Sequence, residues 1–117
     1  VNLAGFDACC AALTHASFVI QWHGSHVHKI GGKVFAIGSV GGHAGQRFTA
    51  VFKTSPLACE ILLSQDIATR PAYLRRGNWV RLTENAVPDA EFSDYVAQSY
   101  HIIASKLPRH LREALSL

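Results

Sequence analysis

Two strand-like runs, His26-Val-His-Lys-Ile30 and Lys33-Val-Phe-Ala-Ile37, are separated by Gly31-Gly32 and nothing else. Paired glycines between two such runs specify a tight two-residue hairpin. A loop this short fixes the register, pairing Ile30 with Lys33, His28 with Phe35 and His26 with Ile37 on one face. Val27, Lys29, Val34 and Ala36 then share the other. A longer glycine-rich connection, Val40 to Gln46, leads into Arg47-Phe-Thr-Ala-Val-Phe-Lys53, where Phe48, Ala50 and Phe52 alternate with Thr49, Val51 and Lys53. Three consecutive strands joined by such short loops form an antiparallel meander.

The flanking segments supply the rest of an α+β domain. Asn2 is a good N-cap, and Leu3, Phe6, Cys10 and Leu13 recur at helical spacing. Ser17 to Trp22 is rich in β-formers and too short for a helix. Ser55-Pro56 opens a second helix through about Gln65. Pro71 then interrupts, and Gly77-Asn78 turns into a strand at Trp79-Val80-Arg81-Leu82, with Val80 and Leu82 on one face and Trp79 and Arg81 on the other. Pro88-Asp89 opens the longest helix, with Phe92, Val96, Tyr100, Ile103 and Leu107 as its apolar stripe, and Arg109 to Leu117 reads as a short terminal helix. The expected fold is a two-layer sandwich in which helices cover an antiparallel meander, in the order α-β-β-β-β-α-β-α-α. Residues 1–117 are read as one domain, long enough to bury a single core.

With 49% hydrophobic and 16% charged residues the chain is neither disordered nor fibrous. No apolar run approaches the ~20 residues a bilayer span needs, and no leader is visible, so a cytoplasmic protein without membrane contact is expected. Cys9, Cys10 and Cys59 read as reduced, buried thiols. The net charge of +3 is uneven: residues 1–28 contribute −1, residues 29–81 contribute +6 and residues 82–117 contribute −2. A polyanion would meet the middle of the chain first. Arg70 to Leu82 carries four arginines interleaved with Tyr73 and Trp79. Arg75, Arg76 and Arg81 are the candidate phosphate contacts, assisted by Lys29, Lys33 and Arg47. Tyr73 and Trp79 are expected to pack rather than to stack on bases.

Enzymatic chemistry has little support. His26 and His28 have a spacing that can chelate zinc or copper, with His43 or His101 as a third ligand supplied by the fold, but no carboxylate or cysteine lies near them in sequence. Cys9 has no visible activating group, and the glycines of 38–45 precede a strand rather than a helix, unlike a phosphate loop. No enzyme activity, cofactor or metal is expected.

Lys29-Ile-Gly-Gly-Lys-Val-Phe-Ala-Ile37, Phe52-Lys53 with Pro56, Arg70-Pro-Ala-Tyr-Leu74, Trp79-Val80, Ser99-Tyr100 and Lys106-Leu-Pro108 occur in an order that resembles the MmcQ/YjbR family of small bacterial proteins, from about Leu13 to about Arg109. The resemblance implies an α+β fold similar to frataxin-like and secretion-chaperone-like domains. It also implies a double-wing DNA-binding role, with the Gly31-Gly32 hairpin and the loop around Gly41-Gly42 as the wings. The sequence departs from the family at His28, usually apolar or aromatic, and at Asn78, where a histidine is frequent. The alternative to DNA binding is an interaction module or chaperone-like adaptor, in which Trp79, Tyr73 and an open sheet face receive a partner protein and the chain forms a homodimer. A third reading is a small-molecule or metal binder using the histidine-bearing face.

Overall fold

The computed structural model describes residues 1–41, 47–74 and 76–117. Its elements are α1 (Leu3–Ala11), β1 (Ser17–Gln21), β2 (Ser25–Ile30), β3 (Lys33–Val40), β4 (Phe48–Lys53), α2 (Pro56–Ser64), β5 (Trp79–Thr83), α3 (Asp89–Ser105) and α4 (Arg109–Ala114). The five strands form one antiparallel sheet in sequence order. Helices pack on one of its faces, as the element order implies. No helix among the described residues is long and apolar enough to cross a membrane.

Local chemistry sets the boundaries. Asn2 caps α1 by accepting the Gly5 N–H, and Ser55 caps α2 by accepting that of Ala58, with Pro56 at the first helical position. Gly31 and Gly32 both hold positive φ, as the hairpin requires, and a side chain at Gly31 would strike Leu107. Phe48, Ala50 and Phe52 of β4 and Val80 and Leu82 of β5 point inward, where they meet Phe6 and Cys10 of α1, Leu62 of α2 and Phe92, Val96 and Tyr100 of α3. Burying each large apolar side chain stabilises the domain by about 1.5–3 kcal/mol. Gly38 lets α1 sit directly on the sheet, since a β-carbon there would lie 2.5 Å from the Phe6 ring.

The hairpin departs from the expected register. Ile30 faces Lys33 and Lys29 faces Val34, but the pairing then shifts, so that His28 faces Ala36, Val27 faces Ile37 and His26 faces Gly38. Phe35 is the extra residue of a β-bulge. The bulge allows Phe35 and Ala36, which strict alternation would place on opposite faces, both to be fully buried. Ala36 therefore lies on the helix side, and Ile37 on the other.

Beyond the bulge β3 parts from β4, and their last pair is Ala36 with Phe52. The next pair would be Phe35 with Lys53, and Ser99 of α3 bridges them instead. Its hydroxyl donates to the Phe35 carbonyl at 2.6 Å and accepts the Lys53 N–H at 2.9 Å. Ser99 is wholly buried, so this pair of bonds ties α3 to both strands.

The helix-free face follows from the register. Val19, Val27, Ile37, Val51 and Arg81 lie side by side across all five strands. Gln21, Ser25, Ser39, Thr49 and Thr83 form a polar row beside them, in which the Ser25 and Ser39 hydroxyls are 3.0 Å apart. Toward the opposite end lie Lys29, Val34, Lys53 and Trp79.

Candidate nucleic-acid interface

The hairpin end of β2 and β3, the end of β4 and the start of β5 all lie at one end of the sheet. The splaying of β3 from β4 opens a groove of about 300 Å³ there, lined by Lys33 and Val34 of β3, Trp79 of β5, and Ile103, Lys106 and Leu107 at the end of α3. Lys53 stands over the Trp79 ring, with its ammonium 5.8 Å from the ring centroid. Partial burial and the neighbouring Lys106 ammonium hold Lys53 below the usual lysine range. None of the ion pairs among the described residues involves a lysine. Two cations thus line an apolar-floored groove and a third stands over its Trp79 wall, an arrangement that an anion relieves.

The expected phosphate contacts divide between regions. Lys29 and Lys33 flank the hairpin at the groove end, and Arg76 is exposed in the connection leading to Trp79. Arg81 is exposed on the helix-free face, two residues along β5 from Trp79, and its backbone exchanges hydrogen bonds with Thr69. Arg47 lies at the other end of the sheet, because β3 runs its eight residues, about 26 Å, between the two loops. The Gly31-Gly32 hairpin and Gly41, where the second expected wing begins, therefore lie at opposite ends of the sheet. Arg75, Gly42 and His43 lie outside the described residues. Lys106, which lines the groove, and Lys53, which stands over its Trp79 wall, escaped sequence reasoning. Lys53 reads there only as the outward end of an alternating strand, and Lys106 lies 53 residues away.

Tyr73 does not pack: it is 97% exposed, whereas Trp79 is half-buried. The buried Pro71 anchors the connection, and the tyrosine two residues on projects from it. The longest exposed apolar run lies on the opposite edge of the sheet, at Phe18, Val19, Ile20 and Trp22.

The histidine pair has a partner from a distant part of the chain. Asp7 of α1 receives His26 Nδ1 on one carboxylate oxygen and His28 Nε2 on the other, both at 2.7 Å. A carboxylate only accepts, so the protons sit on Nδ1 of His26 and Nε2 of His28. His28 is buried and wedged among Phe6, Phe18 and Phe35. The bridge explains how a histidine occupies a position inside the helix-side core, since the carboxylate satisfies it there. Among the described residues no group of three or more His, Cys, Asp or Glu side chains is arranged to hold a metal ion. Cys10 and Cys59 are buried free thiols, while Cys9 is half-buried with its sulfur 3.2 Å from the Ser93 hydroxyl.

These features define an open-faced α+β domain with a five-stranded meander, a helical layer and a lysine-lined groove at one end. The YjbR family model matches residues 11–102, and the chain belongs to that family. The crystal structure of Deinococcus radiodurans protein DR2400, which carries the DUF419 domain, shares the fold with a TM-score of 0.79 at 20% identity, covering 99% of this chain and 88% of that one. No curated protein matches the sequence.

Proposed function

We propose that this domain binds DNA through its phosphate backbone, using the groove end of the sheet. The observation that carries the reading is that Lys33 and Lys106 line the groove while Lys53 stands over its Trp79 wall, with no carboxylate paired to a lysine among the described residues. Lys29 and Arg76 extend the positive surface around the groove, and Arg81 continues it along the open face. Such contacts position a backbone and read no sequence, so the binding is non-specific and salt-sensitive.

The test compares two sets of substitutions in fluorescence anisotropy with a labelled generic duplex at low salt. Lys53→Ala with Lys106→Ala removes two cations from the groove, and Arg47→Ala removes one from the far end. The double variant is expected to weaken binding at least tenfold, and the Arg47 variant less than twofold. Equal losses would reject the groove as the binding surface.

A further inference from the structure

The two edges of the sheet differ. Beyond β5, Thr69 and Arg81 exchange both backbone hydrogen bonds, at 3.0 and 2.8 Å, so that edge is closed by a short extra bridge. Beyond β1 no described residue continues the sheet. Natural edge strands are protected by charge, proline or a bulge. β1, Ser-Phe-Val-Ile-Gln, has none of these, and its register with β2 is unbroken. Phe18 is 50% exposed, Ile20 56% and the following Trp22 58%. Trp22 and His23 both hold left-handed φ, of 48° and 64°, a conformation costly for a bulky side chain, and it leaves the indole in solvent beside the free edge.

The direction of the free backbone groups follows from the hairpin. Ile30 and Lys33 flank a two-residue loop, and such a closing pair exchanges both hydrogen bonds. Alternation along β2 then aims the groups of Val27 and Lys29 at β1. Their partners Val19 and Ser17 face inward, and Phe18 and Ile20 turn their N–H and C=O groups outward.

We propose that β1 is a homodimer interface, in which two copies pair antiparallel about a two-fold axis at Val19 to give one ten-stranded sheet. The strand is self-complementary in that register. Phe18 faces the partner's Ile20 in a hydrogen-bonded pair, repeated by symmetry, and Val19 faces the partner's Val19 in a non-bonded pair. Side chains match as well as backbones: Phe18 and Ile20 share the helix side, so each phenyl ring meets an aliphatic chain across the axis. No charged residue lies on the strand to repel its copy. Phe18 is held ready, its ring resting 5.0 Å from that of His28 and 5.2 Å from that of His26. Phe18, Val19, Ile20 and Trp22 offer roughly 400 Å² of accessible apolar surface on each copy. Together with strand backbone and flanking turns, this approaches the ~1,000 Å² that a specific interface requires. The inference does not rest on DNA binding: β1 is the free edge strand, whereas the groove is lined by β3, β5 and the end of α3.

Sedimentation equilibrium of the whole chain tests it. At a concentration of order 100 µM the expected mass is twice the 12.7 kDa of one chain, falling toward one chain on dilution. Ile20→Lys, at an exposed position, should leave the circular dichroism spectrum unchanged and shift the protein to monomer at every concentration. In a Cys9→Ser background, Val19→Cys should oxidise to a disulfide-linked dimer, because the Cα atoms of a non-bonded pair lie about 4.5 Å apart, within the span a disulfide bridges. Ser17→Cys, off the axis, should not. A chain that remains monomeric at high concentration, or a dimer that persists in the Ile20 variant, overturns the proposal.

Discussion

Replacing Ser99 by alanine removes one hydroxyl and strands two backbone groups. The Phe35 carbonyl loses its donor and the Lys53 N–H loses its acceptor, at the point where β3 has already left β4. Phe35 and Ser99 are fully buried, so water does not reach the carbonyl without disturbing the core. Each buried group left without a partner costs about 1–3 kcal/mol, which puts the loss near 3 kcal/mol. Against a total stability of about 5–15 kcal/mol that is a large fraction. For a chain of this size it lowers Tm by roughly 10–15 °C. Urea unfolding followed by circular dichroism measures the effect directly, with an unchanged slope showing that the unfolding reaction is the same. Ser105 of α3 is the control: its exposed hydroxyl bonds the Ile102 carbonyl in its own helix, and Ser105→Ala should cost less than 0.5 kcal/mol. If Ser99→Ala costs no more than Ser105→Ala, the strands close their own ladder without the serine, and the origin assigned to the groove is wrong.

Other perturbations follow from the same packing. Gly38→Ala places a β-carbon against the Phe6 ring and should destabilise the domain by about 1–3 kcal/mol, measured by thermal unfolding. Asp7→Ala leaves the buried His28 without its acceptor at a similar cost, and adding His28→Phe should recover part of it in a double-mutant cycle. Burial, reinforced by Cys9 and Asp7, raises the Cys10 thiol far above its ordinary value of 9.0. The native state keeps this proton while the unfolded chain releases it. The resulting stability is complete below about pH 9 and declines by about 1.4 kcal/mol per unit above it. Cys10→Ala should remove that slope in urea unfolding across about pH 8–10.

Much of the fold was legible because local signals agreed. Gly31-Gly32 fixed the hairpin turn, Ser55-Pro56 the start of α2, and the Phe92, Val96 and Tyr100 spacing the face that α3 buries. The bulge was not legible: alternation predicts one inward residue of each adjacent pair, and only the helical layer makes room for both Phe35 and Ala36. The Asp7 bridge to His26 and His28 spans about twenty residues and depends on where α1 crosses the sheet, which no spacing encodes. The charge asymmetry located the basic middle of the chain. It did not reveal that Arg47 and Lys33 stand at opposite ends of β3, or that Lys53 and Lys106 meet at Trp79. Those facts belong to topology, and they add the groove to the arginine-rich connection as a candidate surface.

The most direct measurement is the salt dependence of DNA binding by the unaltered protein. If the groove end and its flanks neutralise about four phosphates, affinity for a labelled duplex should fall roughly 100-fold between about 50 and 200 mM salt. Substituting Lys33, Lys53 and Lys106 together with alanine should flatten that slope by nearly three contacts. No binding at the lower salt, or binding whose salt slope is the same in the triple variant, would contradict the assignment of this surface to DNA.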